Sequence, residues 1–249
     1  MKLTHIGGPT LLIEWGGKRI LTDPTFDPPG RRYSFGWGAF SRKVAGPAIA
    51  PGDVGPLDAI LLTHDHHDDN LDAAGRTLLP GAGDVVTTVS GAARLGRARG
   101  LAPWQSAVLD GGIEVTATPC RHGPPGFHFI VGDVIGFALR LDGRTLWISG
   151  DTVLYDGVRE VARRLDVDVA VLHLGGVRFP VTGPLRYTMT ARDAVELGDA
   201  LKARVVVPLH YEGWAHFREG RAAIERELAA APAFRSTVRW LELGEPAQV

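Results

Sequence analysis

Apolar residues recur along the chain with two periods, and the period changes as the chain proceeds. Thr10-Leu11-Leu12-Ile13-Glu14-Trp15 and Lys18-Arg19-Ile20-Leu21-Thr22 flank Gly16-Gly17, which predicts a hairpin whose turn tolerates positive φ. Asp58-Ala59-Ile60-Leu61-Leu62-Thr63 is a short apolar run, as expected for a strand covered on both faces. Further strands are predicted at 85–89, 112–118, 136–141, 145–149, 167–172, 204–209 and 237–243. Helices are predicted at 92–99 (ended by Gly100), 158–165, 190–203 and 219–231. In the third of these, Ala194, Leu197 and Leu201 share a face, and Thr190 with Asp193 makes an N-terminal cap. Strands alternating with helices after Asp58 indicate an α/β fold.

The stretch from Asp23 to Pro56 breaks this pattern. It is rich in Gly, Pro and aromatic residues and too long for a plain connector, which marks it as a functional flap or an insertion. No repeat, low-complexity tract or linker divides the 249 residues, so a single domain spanning 1–249 is expected.

Composition excludes more than it indicates. A formal net charge of −1 points neither to a nucleic-acid partner nor to an acidic membrane surface. No run reaches the ~20 apolar residues needed to span a bilayer. The start Met1-Lys2-Leu3-Thr4-His5 lacks the form of a signal peptide, and one cysteine, Cys120, suits a reducing compartment, so a cytoplasmic location is expected.

Thr63-His64-Asp65-His66-His67-Asp68-Asp69-Asn70 carries the candidate chemistry. Three imidazoles and three carboxylates in six residues, directly after a buried strand, are costly to bury unless paired or bound to metal. In extended geometry His64 and His66 point the same way and can chelate one ion, while Asp68 and Asp69 reach a second. A solvated polar loop or helix start is the alternative, and a metal site accounts better for the density of ligating types.

The segment resembles the signature His-x-His-x-Asp-His of the metallo-β-lactamase superfamily. The opening 1–10 and Gly17-Lys18-Arg19-Ile20-Leu21-Thr22-Asp23-Pro24 are similar to the branch containing ascorbate-6-phosphate lactonase and N-acylphosphatidylethanolamine phospholipase D. The resemblance implies an αββα sandwich with its metal centre at one edge, between the sheets. It implies His122 as the third imidazole of the first site, Asp151 as a bridging carboxylate and His210 as the final ligand. Asp69 stands where the signature ends in His, so the second site is richer in oxygen. A register using His64, His67 and Asp69, with Asn70 in the His position, remains open. His5, His128 and His216 are assigned structural roles. His173 either lines the pocket or is structural.

Such a site implies one or two divalent ions, Zn or Mn/Fe, and a metal-bound hydroxide at neutral pH. Asp151 would bridge, and Asp68 would ligate or accept the proton. Arg178 and Arg186, in the irregular stretch 175–188, together with Arg121, Arg31 and Arg32, suit capture of a carboxylate or phosphate. Phe35, Trp37, Phe127 and Phe179 offer an apolar wall. The expectation is a hydrolase of a small anionic ester, lactone or phosphodiester. A metal-dependent oxidoreductase on the same fold and a non-catalytic scaffold with a degenerate second site are the alternatives.

Overall fold

The computed structural model describes residues 1–126 and 131–249, so Phe127 and His128 lie outside the described residues. The strands are β1 (Lys2–Gly7), β2 (Thr10–Trp15), β3 (Lys18–Thr22), β4 (Arg32–Ser34), β5 (Phe40–Arg42), β6 (Ala59–Leu61), β7 (Asp84–Thr88) and β8 (Arg99–Leu101). They continue as β9 (Ser106–Val108), β10 (Glu114–Pro119), β11 (Ile135–Leu141), β12 (Arg144–Ile148), β13 (Val169–His173), β14 (Val205–Leu209) and β15 (Pro246–Gln248). Seven strands form one sheet in the order β15-β1-β2-β3-β6-β7-β8, and six form another in the order β14-β13-β12-β11-β10-β9.

The sheets face each other across one apolar layer. Leu11, Ile13, Ile20 and Leu61 of the first sheet meet Val115, Phe137, Ile148, Val171 and Val207 of the second. Because side chains alternate along a strand, the opposite faces are covered as well. Ile6, Leu12, Leu21 and Ile60 pack under Phe26, Val54 and Leu57. Trp147, Ala170 and Leu172 pack under the helices Asp156–Arg164, Ala191–Leu201 and Arg221–Ala229. This is the αββα sandwich.

The capping box expected at Thr190 and Asp193 is formed in full, with Ala194, Leu197 and Leu201 buried. Two other expectations are corrected. The helix placed at 92–99 runs Val89–Leu95, because Thr88 caps it at Gly91 and Gly96 ends it in the left-handed region; Gly100 belongs to β8. The strand expected at 237–243 makes only two isolated bridges, Val238 to Val206 and Leu243 to His5, and the closing strand is β15, antiparallel to β1.

The stretch 23–56 folds over one edge of the sandwich. β4 and β5 pair as a hairpin, and Asp72 anchors its base. The Asp72 carboxylate accepts from the backbone N–H of Phe26 and Asp27 and from Lys43 Nζ at 2.9 Å. Both Lys43 and Asp72 are buried, and Tyr33 donates to Asp27 at 2.8 Å.

Candidate metal centre

Strand direction decides where polar residues gather. β6 is parallel to β3. β12, β13 and β14 are mutually parallel, and β10 shares their direction because β11 is antiparallel to both β10 and β12. His64 follows β6, His122 follows β10, Asp151 follows β12, His173 ends β13 and His210 follows β14. Five strands therefore deliver their next polar residues to one edge, between the two sheets.

Hydrogen bonds fix the imidazole tautomers. Thr63 Oγ1 donates to Asp23 Oδ1 at 3.0 Å, so it accepts from His64 Nδ1, also at 3.0 Å. His122 Nδ1 donates to the Tyr187 carbonyl at 2.8 Å. Each ring is left with an Nε2 lone pair, and both Nε2 atoms lie 3.3 Å from His67 Nδ1. Burial, reinforced by the neighbouring imidazoles, lowers His64 and His67 well below the usual histidine value, and burial also lowers His122. The three rings are held neutral, the form that ligates metal.

A second cluster adjoins the first. Asp151 Oδ1 lies 2.9 Å from His173 Nδ1 and 3.5 Å from His210 Nδ1. Asp69 Oδ2 lies 3.7 Å from His210 Nε2 and 3.0 Å from His216 Nε2. Burial works against the charge on Asp69 and Asp151, yet the facing imidazoles hold both carboxyls well below their usual range. His210 is raised: burial opposes protonation, but Asp151 and Asp69 outweigh it. Its backbone is left-handed at φ 55°, a conformation costing about 1–2 kcal/mol, and its N–H is tied to Gly8 O.

Both His210 ring nitrogens, His173 Nε2, Asp151 Oδ2 and Asp69 Oδ1 are buried without a hydrogen-bond partner. Orphaned groups of this kind are costly, and divalent cations are what would satisfy the unpaired imidazole and carboxylate lone pairs among them. The residues present therefore fit a metal. His64, His122 and Asp151 offer atoms close enough to share one ion, as do Asp151, His173 and His210, and as do His64, His66 and His67.

Not every expected residue faces the centre as the sequence suggests. The His66 ring turns to the Val131 carbonyl and rests on Gly132, where a Cβ would come within 2.3 Å of it. Asp68 is half-buried and, among the described residues, in none of the three groups; burial and then Asp69 raise its carboxyl. His173, for which the sequence leaves both a pocket-lining and a structural role open, is fully buried against Asp151. Arg178 and Arg186 neighbour the centre through their backbone: Arg178 N donates to His216 O at 3.4 Å, and Arg186 precedes the Tyr187 that holds His122. Arg121 lines a cavity of about 420 Å³ together with His122.

His216, assigned a structural role from sequence, joins the flap to the centre. Its Nδ1 lies 2.5 Å from Ser41 Oγ on β5, and its Nε2 contacts Asp69. Phe35 of the same flap packs on the His67 and His216 rings at 5.6 and 5.0 Å between centroids. No local motif around His216 announces this, since both partners lie far off in sequence.

Residues 18–211 match the β-lactamase superfamily domain. The chain belongs to that family, among its metal-dependent hydrolases. It is 28% identical to a UPF0173 metal-dependent hydrolase of Pelotomaculum thermopropionicum, over 98% of both chains. It is 30% identical to one from Methanoregula boonei, over 91% of this chain and 90% of that one. The structure of an isothiocyanate hydrolase from Delia radicum gut bacteria superposes with a TM-score of 0.83, at 23% identity over 100% of this chain and 99% of the other. At that identity the last comparison supports the fold alone.

Proposed function

We propose that this metal-dependent hydrolase holds one or two divalent ions and acts on a small anionic ester, lactone or phosphodiester. The observation that carries the reading is the convergence of buried, unpartnered imidazole and carboxylate atoms where five strands end. His64, His67 and His122 form a neutral, nitrogen-rich group suited to Zn²⁺, with His67 taking the place the sequence assigns to His66. Asp69, Asp151 and His210, backed by His173, form a group richer in oxygen that suits Mn²⁺ or Fe²⁺ as well.

Bound metal lowers the pKa of water to about 7 and polarises the bond to be broken. The protein's own groups supply the remainder. Asp151, ionised and fixed by His173, faces both clusters. Asp68 is assigned to proton transfer, because a half-buried carboxyl raised by burial and by Asp69 takes up a proton more readily than an exposed one. Arg178 and Arg186 orient the substrate's negative charge, and Phe35 excludes water above His67.

Elemental analysis combined with a substrate panel tests this reading. Anionic esters, lactones and phosphodiesters should be hydrolysed better than neutral ones, and an isothiocyanate serves as an uncharged comparison. Arg178→Ala and Arg186→Ala should each lower kcat/KM for the anionic substrates by roughly tenfold, the loss of one charge-assisted hydrogen bond. Equal rates on neutral and charged substrates would remove the anionic preference and leave the metal-dependent hydrolase standing.

A further inference from the structure

The hairpin that covers the metal centre has two chemically different faces. Tyr33, Phe35 and Ser41 point inward, to Asp27, His67 and His216 respectively. Outward, Trp37 is 77% exposed and Phe40 44% exposed. Val44, just past the hairpin, is 57% exposed, and Val181 is 58% exposed. Val181 belongs to the same patch, because a Cβ on Gly38 would stand 4.0 Å from its side chain. Four of the large apolar residues left exposed on the described surface thus lie at the one edge where the centre opens. Trp37 sits at the hairpin tip with φ 52°, between Gly36 and Gly38, which also have positive φ. A bulky residue in that region is strained and gains no packing there, so folding stability does not account for it.

The charge at this edge is equally one-sided. Residues 28–52 contain Arg31, Arg32, Arg42 and Lys43 and no Asp or Glu, and residues 175–192 contain Arg178, Arg186 and Arg192 and no acid, in a chain of net charge −1. Lys43 is used internally by Asp72, and Arg31 approaches Asp27 at 3.7 Å. Arg32 lies over the Phe40 ring at 4.1 Å, and neither Arg32 nor Arg42 has a carboxylate in ion-pair range among the described residues. An exposed Trp and Phe beside unpaired arginines match the boundary layer of a membrane, where aromatic rings sit at headgroup level and cations meet anionic phosphates.

We propose that this edge docks peripherally on an anionic lipid surface, with Trp37 and Phe40 entering the headgroup layer. The hairpin then sets the metal centre against the interface. The consequence for substrate, an anionic amphiphile drawn from that surface, rests on the hydrolase reading above; the docking itself does not.

Co-sedimentation of the full chain with vesicles tests the proposal. Vesicles of phosphatidylcholine mixed with phosphatidylglycerol should carry the protein down, phosphatidylcholine alone should carry little, and added salt should release it. Trp37→Ala should weaken the partition. An Arg32→Ser/Arg42→Ser variant should weaken it by about fivefold per charge removed. All three residues are exposed, so the melting temperatures of these variants should match that of the parent and confirm that they fold. Sedimentation that is absent with anionic vesicles, or undiminished in Trp37→Ala, overturns the proposal. Hydrolysis of soluble anionic esters without vesicle binding also overturns it. Vesicle binding by a protein that hydrolyses nothing supports the docking surface and tells against the hydrolase reading alone.

Discussion

His66 and His67 are adjacent in sequence but face different partners. The His67 ring lies between His64 and His122, whereas His66 turns to the Val131 carbonyl. His67→Ala should therefore weaken the tightest-bound metal by more than the roughly 10–100-fold that loss of an outer partner costs. His66→Ala should have the smaller effect. Metal titration of the two variants checks this, and the reverse order would return His66 to the ligand position. A pattern of alternate residues assumes extended backbone through 64–66, and it places His64 and His66 on the same side. The chain instead bends at Asp65 and His66 and turns after His67, where Asn70 N and Leu71 N both bond to His67 O, and the third imidazole of the run faces inward. A sequence shows that such a cluster exists, but not which of its members the turn selects. His122, Asp151 and His210 could be proposed from sequence only because each follows an apolar strand in the order of a familiar motif. His216 had no such signal.

At the scale of elements, strands were easier to read than the hairpin that matters most. β6, β13 and β14 are apolar on both sides, and burial on both sides writes a continuous run into the sequence. β4 and β5 have only three residues each and alternate exposed with buried positions, which is too short a pattern to count. Their stability comes from below, from the buried Lys43–Asp72 pair at 2.9 Å and the backbone donors around it. Replacing only the lysine leaves a buried carboxylate without its cation. Lys43→Met should cost about 3–5 kcal/mol, read by chemical denaturation, and should raise proteolytic sensitivity in the flap before the sandwich itself. A variant with unchanged stability would mean that the backbone N–H donors suffice to hold Asp72.

For the whole molecule, metal and protons compete for one set of groups. Metal at a hundredfold excess over its dissociation constant stabilises by about 2.7 kcal/mol. For a domain of this size, chelation should then lower Tm by about 5–10 °C. In the metal-free protein, His64, His67, His122, His173 and His216 have folded values below the ordinary 6.5. The unfolded chain therefore binds more protons as pH falls past about 6.5, and stability should decline below that point. His210 runs the other way: its raised value stabilises below 6.5, and that contribution fades as pH climbs through the folded value. Five groups at the centre oppose one, and buried His5, also lowered, adds to the five, so the melting temperature of metal-free protein should fall between neutral pH and about pH 5. A flat profile would indicate rings that are already charged in the fold.

The wiring of the centre also bears on how the chain acquires its metal. His67 must meet His122 across 55 positions, and Asp69 must meet His216 across 147. Such distant pairings carry the largest loop-closure entropy and form late. A ribosome that has released only the first half of the chain has exposed the His64–Asp69 run but none of the partners from β12, β13 and β14. Loading of the full centre must wait until the chain has emerged past His216 and the two sheets have closed on each other. In refolding experiments the metal-dependent signal should thus accompany the slowest phase, and a chain interrupted before β14 should emerge without the intact centre.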